Sequence, residues 1–111
     1  MLRTVVEAPV YLARAAKLLT GEERDSIVNL VAADPECGAL IPGTGGLRKL
    51  RAGVAGRGKR GGARVIYLHF DDRTPVLLLL IYAKNERDDM TASQKAAFSK
   101  LADELKRRQK P

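Results

Sequence analysis

The stretch "ARVIYLHFDDRTPVLLLLIYAK", residues 63–84, decides the fold. Its first part, "ARVIYLHF", is rich in β-branched and aromatic residues, and "PVLLLLIYAK" is a second β-like run. "DDRT", residues 71–74, is turn-forming and joins the two as a hairpin. The second run is apolar at successive positions, as expected of a strand at the centre of a sheet with both faces covered.

On the N-terminal side of this hairpin, "LRKLR" (47–51) reads as a short strand and "AGVAGRGKRGG" (52–62) as a flexible connection. "GALIPGTGG" (38–46) reads as loop from its Gly and Pro content. Further out, "LRTVV" is a short β-like opening, and "PVYLARAAKLL" starts a helix with Pro9 in its first turn. Thr20 and Glu23 form a capping box for a second helix, in which Ile27, Leu30 and Val31 recur at helical spacing until Asp34–Pro35 ends it. On the C-terminal side, Thr91 and Gln94 form another capping box. Phe98, Leu101, Ala102 and Leu105 make the apolar stripe of the last helix, and Arg107, Arg108 and Lys110 suit its negative end. The order is β-α-α-β-β-β-α, an α+β domain with an antiparallel-rich sheet and helices packed on one face. At 111 residues a single domain, 1–111, is expected.

Apolar content of 45% with 30% charged residues is normal for a globular chain and argues against wholesale disorder. One cysteine, Cys37, excludes an intrachain disulfide and fits a reducing compartment. The N-terminal stretch has no signal-like apolar run, and "PVLLLLIYA" is far too short to span a membrane, so a cytoplasmic protein without membrane association is expected.

The formal charge of +7 becomes informative once it is located. Arg48, Lys49, Arg51, Arg57, Lys59, Arg60 and Arg64 lie in an interval that holds no acid between Glu36 and Asp71. The other 13 basic residues balance the 13 acids, so this segment carries the whole excess. Several cations on adjacent strands and their connection make a groove for a phosphate chain, and glycines let backbone approach it closely.

Other chemistries lack their parts. One His and one Cys exclude the usual zinc patterns, and no Gly-x-Ser-x-Gly elbow is present. His69 reads as a solvated or packed strand residue. "GRGKRGG" fails the Walker spacing, because Arg60 follows Lys59, and "GVAGRG" leads towards a strand rather than a helix. Nothing in these residues calls for a cofactor. RNA cleavage needs neither metal nor His: lysine can move protons, and arginine can neutralise the phosphate that the 2′-OH attacks.

"GTGGLRK" (43–49), "GRGKRGGARVIY" (56–67) and "YAKNERDDMT" (82–91), at this spacing, closely resemble the HigB-like branch of the RelE/ParE toxin superfamily. The resemblance spans nearly the whole chain. It implies a RelE-like fold and the toxin of a type II toxin–antitoxin pair, a metal-independent mRNA interferase that cuts messenger RNA on the ribosome by 2′-OH attack. It also implies a cognate helix-turn-helix antitoxin of the HigA type. The positions matching the RelE-like site are Lys49, Arg64 and Lys84, here taken as general base, phosphate neutraliser and support for the phosphate or leaving group. Arg48, Arg51, Arg57, Lys59, Arg60 and Arg87 would hold mRNA or ribosomal RNA. Where RelE has an arginine beside the last-strand lysine this chain has Asn85, and where RelE has a catalytic tyrosine it has Thr91. The base-stacking tyrosine is then either missing or replaced by Tyr82 or Tyr67, and Tyr82 also reads as a sheet-packing residue. A ParE-like gyrase inhibitor and a non-catalytic RNA- or ribosome-binding module are the alternatives.

Overall fold

The 63–84 stretch folds as the expected hairpin, with β4 (Ala63–Leu68) and β5 (Val76–Ala83) paired antiparallel. Asp71 Oδ1 accepts the backbone N–H groups of Arg73 and Thr74, both at 3.0 Å, and so closes the turn. This computed structural model describes residues 3–53, 62–84, 86 and 89–109. The remaining elements are β1 (Val5–Glu7), α1 (Pro9–Leu18), α2 (Gly21–Ala33), β2 (Ala39–Leu40), β3 (Leu47–Ala52) and α3 (Ala92–Gln109). The sheet order is β1-β5-β4-β3-β2, with β1 parallel to β5 and the other pairs antiparallel.

Both capping boxes form. Thr20 Oγ1 accepts from Glu23 N at 3.1 Å while Glu23 Oε1 accepts from Thr20 N at 2.8 Å, and Thr91 with Gln94 repeats the exchange at 3.1 and 3.0 Å. Pro9 stands in the first turn of α1.

Two features depart from the sequence reading. The 38–46 segment is not plain loop: β2 pairs with β3, Ala39 opposite Lys49 and Leu40 opposite Arg48. The hairpin turns through Gly43, Gly45 and Gly46 at positive φ, and Thr44 Oγ1 donates to Ile41 O while accepting from Leu47 N. A two-residue strand carries too little pattern to register against its Gly and Pro neighbours.

The helices also cover both faces of the sheet rather than one. Tyr11 and Ala15 of α1 and Ile27 and Val31 of α2 pack with Leu50, Val65, Leu78 and Ile81. Leu47, Leu68 and Leu79 on the other face pack with Ala102, Phe98 and Leu101 of α3. A strand apolar on both faces needs a layer on each side, and β5 is such a strand. A register shift at Ile66/Tyr67 adds one residue to β5, so Leu79 and Leu80 both serve the α3 side. No described helix is long and apolar enough to cross a membrane.

Candidate nucleic-acid interface and active site

Strand alternation sorts the cations of β3. Leu47, Lys49 and Arg51 point to the α3 face, and Arg48, Leu50 and Ala52 to the other. On the α3 face a groove of about 630 Å³ lies between β2 and the start of α3. Lys49, Arg51, Arg64, Lys84 and Lys95 line it together with one acid, Asp89.

The ladder sets the spacing of these cations. Arg64 on β4 lies opposite Arg51 on one side and Tyr82 on the other. Lys49 is two residues from Arg51 along β3, and Lys84 is two residues beyond Tyr82, its N–H donating to Gly62 O at 3.0 Å. Both lysines are therefore diagonal neighbours of Arg64, about 7–8 Å away at the backbone. Long side chains from these three positions can converge on one phosphate.

Arg64 is only 6% exposed, and its Nη1 donates to the Ala63 carbonyl at 3.2 Å. Among the described residues it makes no ion pair. A buried guanidinium opposite another arginine favours an anion brought from outside.

Lys49 Nζ contacts Asp89 Oδ1 at 3.2 Å. Burial by itself would raise the Asp89 carboxyl, but the Met90 N–H at 2.8 Å and the Lys49 ammonium outweigh it and hold the group below its ordinary range. Neither Asp89 nor Lys95 is among the site residues expected from the sequence; the groove contains both. Lys95 sits one residue past the Thr91–Gln94 box, so a first-turn lysine facing the sheet was the available signal.

Arg48 is not brought into the groove. Its Nη1 donates to Gly38 O at 2.8 Å and Glu36 O at 3.2 Å, clamping the chain ahead of β2. Arg57, Lys59, Arg60 and Arg87 lie outside the described residues.

Neither candidate stacking tyrosine offers a ring to the groove, since Tyr67 and Tyr82 are both 0% exposed. Tyr67 instead accepts from Gly38 N and donates to Pro35 O, both at 2.8 Å. His69 follows β4, half-buried, with Nδ1 unpaired among the described residues. A second hollow of about 450 Å³ between α2 and β3 is lined mainly by Ile27, Leu30, Cys37 and Leu50 and has no comparable cluster of cations.

A family model described as "RelE toxin of RelE / RelB toxin-antitoxin system" matches residues 36–110. The fold is similar to that of a double arginine-to-alanine mutant of the E. coli toxin RelE in its free state. The TM-score is 0.59 at 17% identity, covering 91% of this chain and 97% of the other. The family match covers the second capping box and every strand that carries a groove cation. The chain belongs to the RelE family of toxins of toxin–antitoxin systems.

Proposed function

We propose that this toxin is a ribosome-dependent mRNA endoribonuclease of the HigB-like branch, acting in the cytoplasm and inhibiting translation. The observation that carries this reading is Arg64, buried and without an ion pair among the described residues, flanked diagonally by two lysines in an open groove. Lys49, parted from Asp89 and acting as the neutral amine, takes the proton of the 2′-OH as its oxygen bonds to the adjacent phosphorus. Arg64 neutralises the pentacoordinate phosphate. The bond to the 5′-oxygen then breaks with Lys84 supplying charge or a proton to that leaving group, and a 2′,3′-cyclic phosphate remains. Charge neutralisation comes from side chains, so the reading is metal-independent. Arg51 on β3 and Lys95 on α3 extend the positive wall, and the substrate must part Lys49 from Asp89. A helix-turn-helix antitoxin of the HigA type would hold the toxin in check.

Primer extension on mRNA from translating extracts tests this reading. Cuts within ribosome-occupied codons, lost with Arg64→Ala and Lys84→Ala, support it. Intact mRNA with blocked DNA supercoiling points instead to a gyrase inhibitor, and bound but uncut RNA to a non-catalytic module.

A further inference from the structure

Lys84 is exposed on the turn after β5, and its side chain makes no hydrogen bond or ion pair among the described residues. Its position is therefore the position of that turn. The turn is fastened from the opposite face of the sheet. Glu86 N donates to Ala83 O at 3.0 Å, and Glu86 Oε1 accepts the Ala83 N–H, also at 3.0 Å. Arg14, one turn on from the buried Tyr11 of α1, donates Nε to Ile81 O and reaches both Glu86 carboxylate oxygens with Nη2 at 3.3 Å.

Arg14 thus joins the last residues of β5 to the carboxylate that closes the turn. The planar guanidinium makes both contacts from separate nitrogens held in one rigid plane, a geometry that the single nitrogen of an ammonium lacks. Glu86 lies well ahead of α3, which begins at Ala92, so the helix dipole does not account for it. The side chains are partly open to solvent, 30% for Arg14 and 45% for Glu86, and as a simple surface ion pair they would contribute little to stability. Their geometry serves the placement of residue 84 better than it serves the core.

We infer that Arg14 and Glu86 are positioning residues for Lys84, holding from α1 the turn that presents it to the groove. The inference rests on the endoribonuclease reading. A groove-lining cation displaced by a loosened turn loses its alignment with the phosphate, and small misplacements of this kind cost on the order of 10- to 100-fold in rate.

A double-mutant cycle on ribosome-bound mRNA cleavage tests it. Arg14→Ala and Glu86→Ala should each lower the single-turnover cleavage rate on the order of 10-fold or more with little change in ribosome affinity. Glu86→Gln, which keeps an acceptor for the Ala83 N–H, should retain more activity than Glu86→Ala. In a Lys84→Ala background, Arg14→Ala should cost no more than about twofold further, because the residue it positions is gone. Thermal melts establish that each variant is folded; if Arg14→Ala is not, Glu86→Ala takes its place in the cycle. Fully additive losses overturn the positioning role alone; a harmless Lys84→Ala in a cutting enzyme overturns it together with the leaving-group role proposed for Lys84, while the endoribonuclease reading stands. A wild-type protein that leaves ribosome-bound mRNA intact overturns the endoribonuclease reading and this inference with it.

Discussion

Lys49 Nζ lies 3.2 Å from Asp89 Oδ1, tying the β3 strand to the segment that precedes α3 at the mouth of the cationic groove. This carboxylate is held among lysines and arginines. The free toxin carries its own anion at the site proposed for RNA.

Asp89→Asn should therefore strengthen binding to single-stranded RNA. Asp89 is 61% exposed, so the gain is that of removing one screened like charge, about fivefold at low salt and less at high salt. Fluorescence anisotropy over a range of NaCl concentrations measures it. Unchanged or weaker binding would show that the carboxylate does not compete with phosphate.

Arg48 and Arg51, neighbours but for Lys49 and Leu50, should behave differently. Arg51→Ala should reduce the salt dependence of RNA binding by roughly one phosphate contact. Arg48→Ala should leave that slope nearly unchanged and instead lower the melting temperature, since it frees the Glu36 and Gly38 carbonyls. Equal slopes for the two variants would contradict the division of faces.

Tyr11 and Tyr67 are both 0% exposed, but the Tyr11 hydroxyl has no hydrogen-bond partner among the described residues, whereas Tyr67 bridges Gly38 N and Pro35 O. Tyr11→Phe removes an unsatisfied buried hydroxyl and should stabilise the fold by roughly 1 kcal/mol. Tyr67→Phe strands two buried backbone groups and should cost about 1–3 kcal/mol. Urea unfolding of the pair checks the opposite signs.

The same two phenols set an alkaline limit. Burial, then the nearby Glu7, pushes Tyr11 up to about 12 against the relief given by Arg24, and burial raises Tyr67 further. A phenol with a folded pKa above its unfolded one contributes stability that is complete below pH ~10 and fades as pH climbs towards 12 and beyond. Stability should fall more steeply from pH 10 to 12 in the wild type than in a Tyr11→Phe/Tyr67→Phe double variant, as melting curves at stepped pH would record.

Local signals carried much of this molecule into view. The two capping boxes and the β4–β5 hairpin depend on neighbours a few residues apart, and they form where the residues call for them. The concentration of cations ahead of residue 65 likewise pointed to the groove. Arg48 was grouped with the RNA-holding cations, although alternation along β3 sends it away from Lys49 and Arg51. β2 was not legible, since its pairing is decided by the free edge of β3 rather than by Ala39 and Leu40 themselves. The Lys49–Asp89 and Arg14–Glu86 pairs join distant parts of the chain, and only the packing of α3 and α1 on opposite faces brings each together.

The central claim is that this groove cleaves RNA through the substrate's own 2′-OH. The most direct measurement places a single 2′-deoxyribonucleotide on the 5′ side of a mapped cut in an mRNA loaded on ribosomes. The account expects cleavage at that position to vanish while neighbouring ribose positions are still cut and their products end in 2′,3′-cyclic phosphate. Cleavage at the deoxy position at the unmodified rate would contradict it.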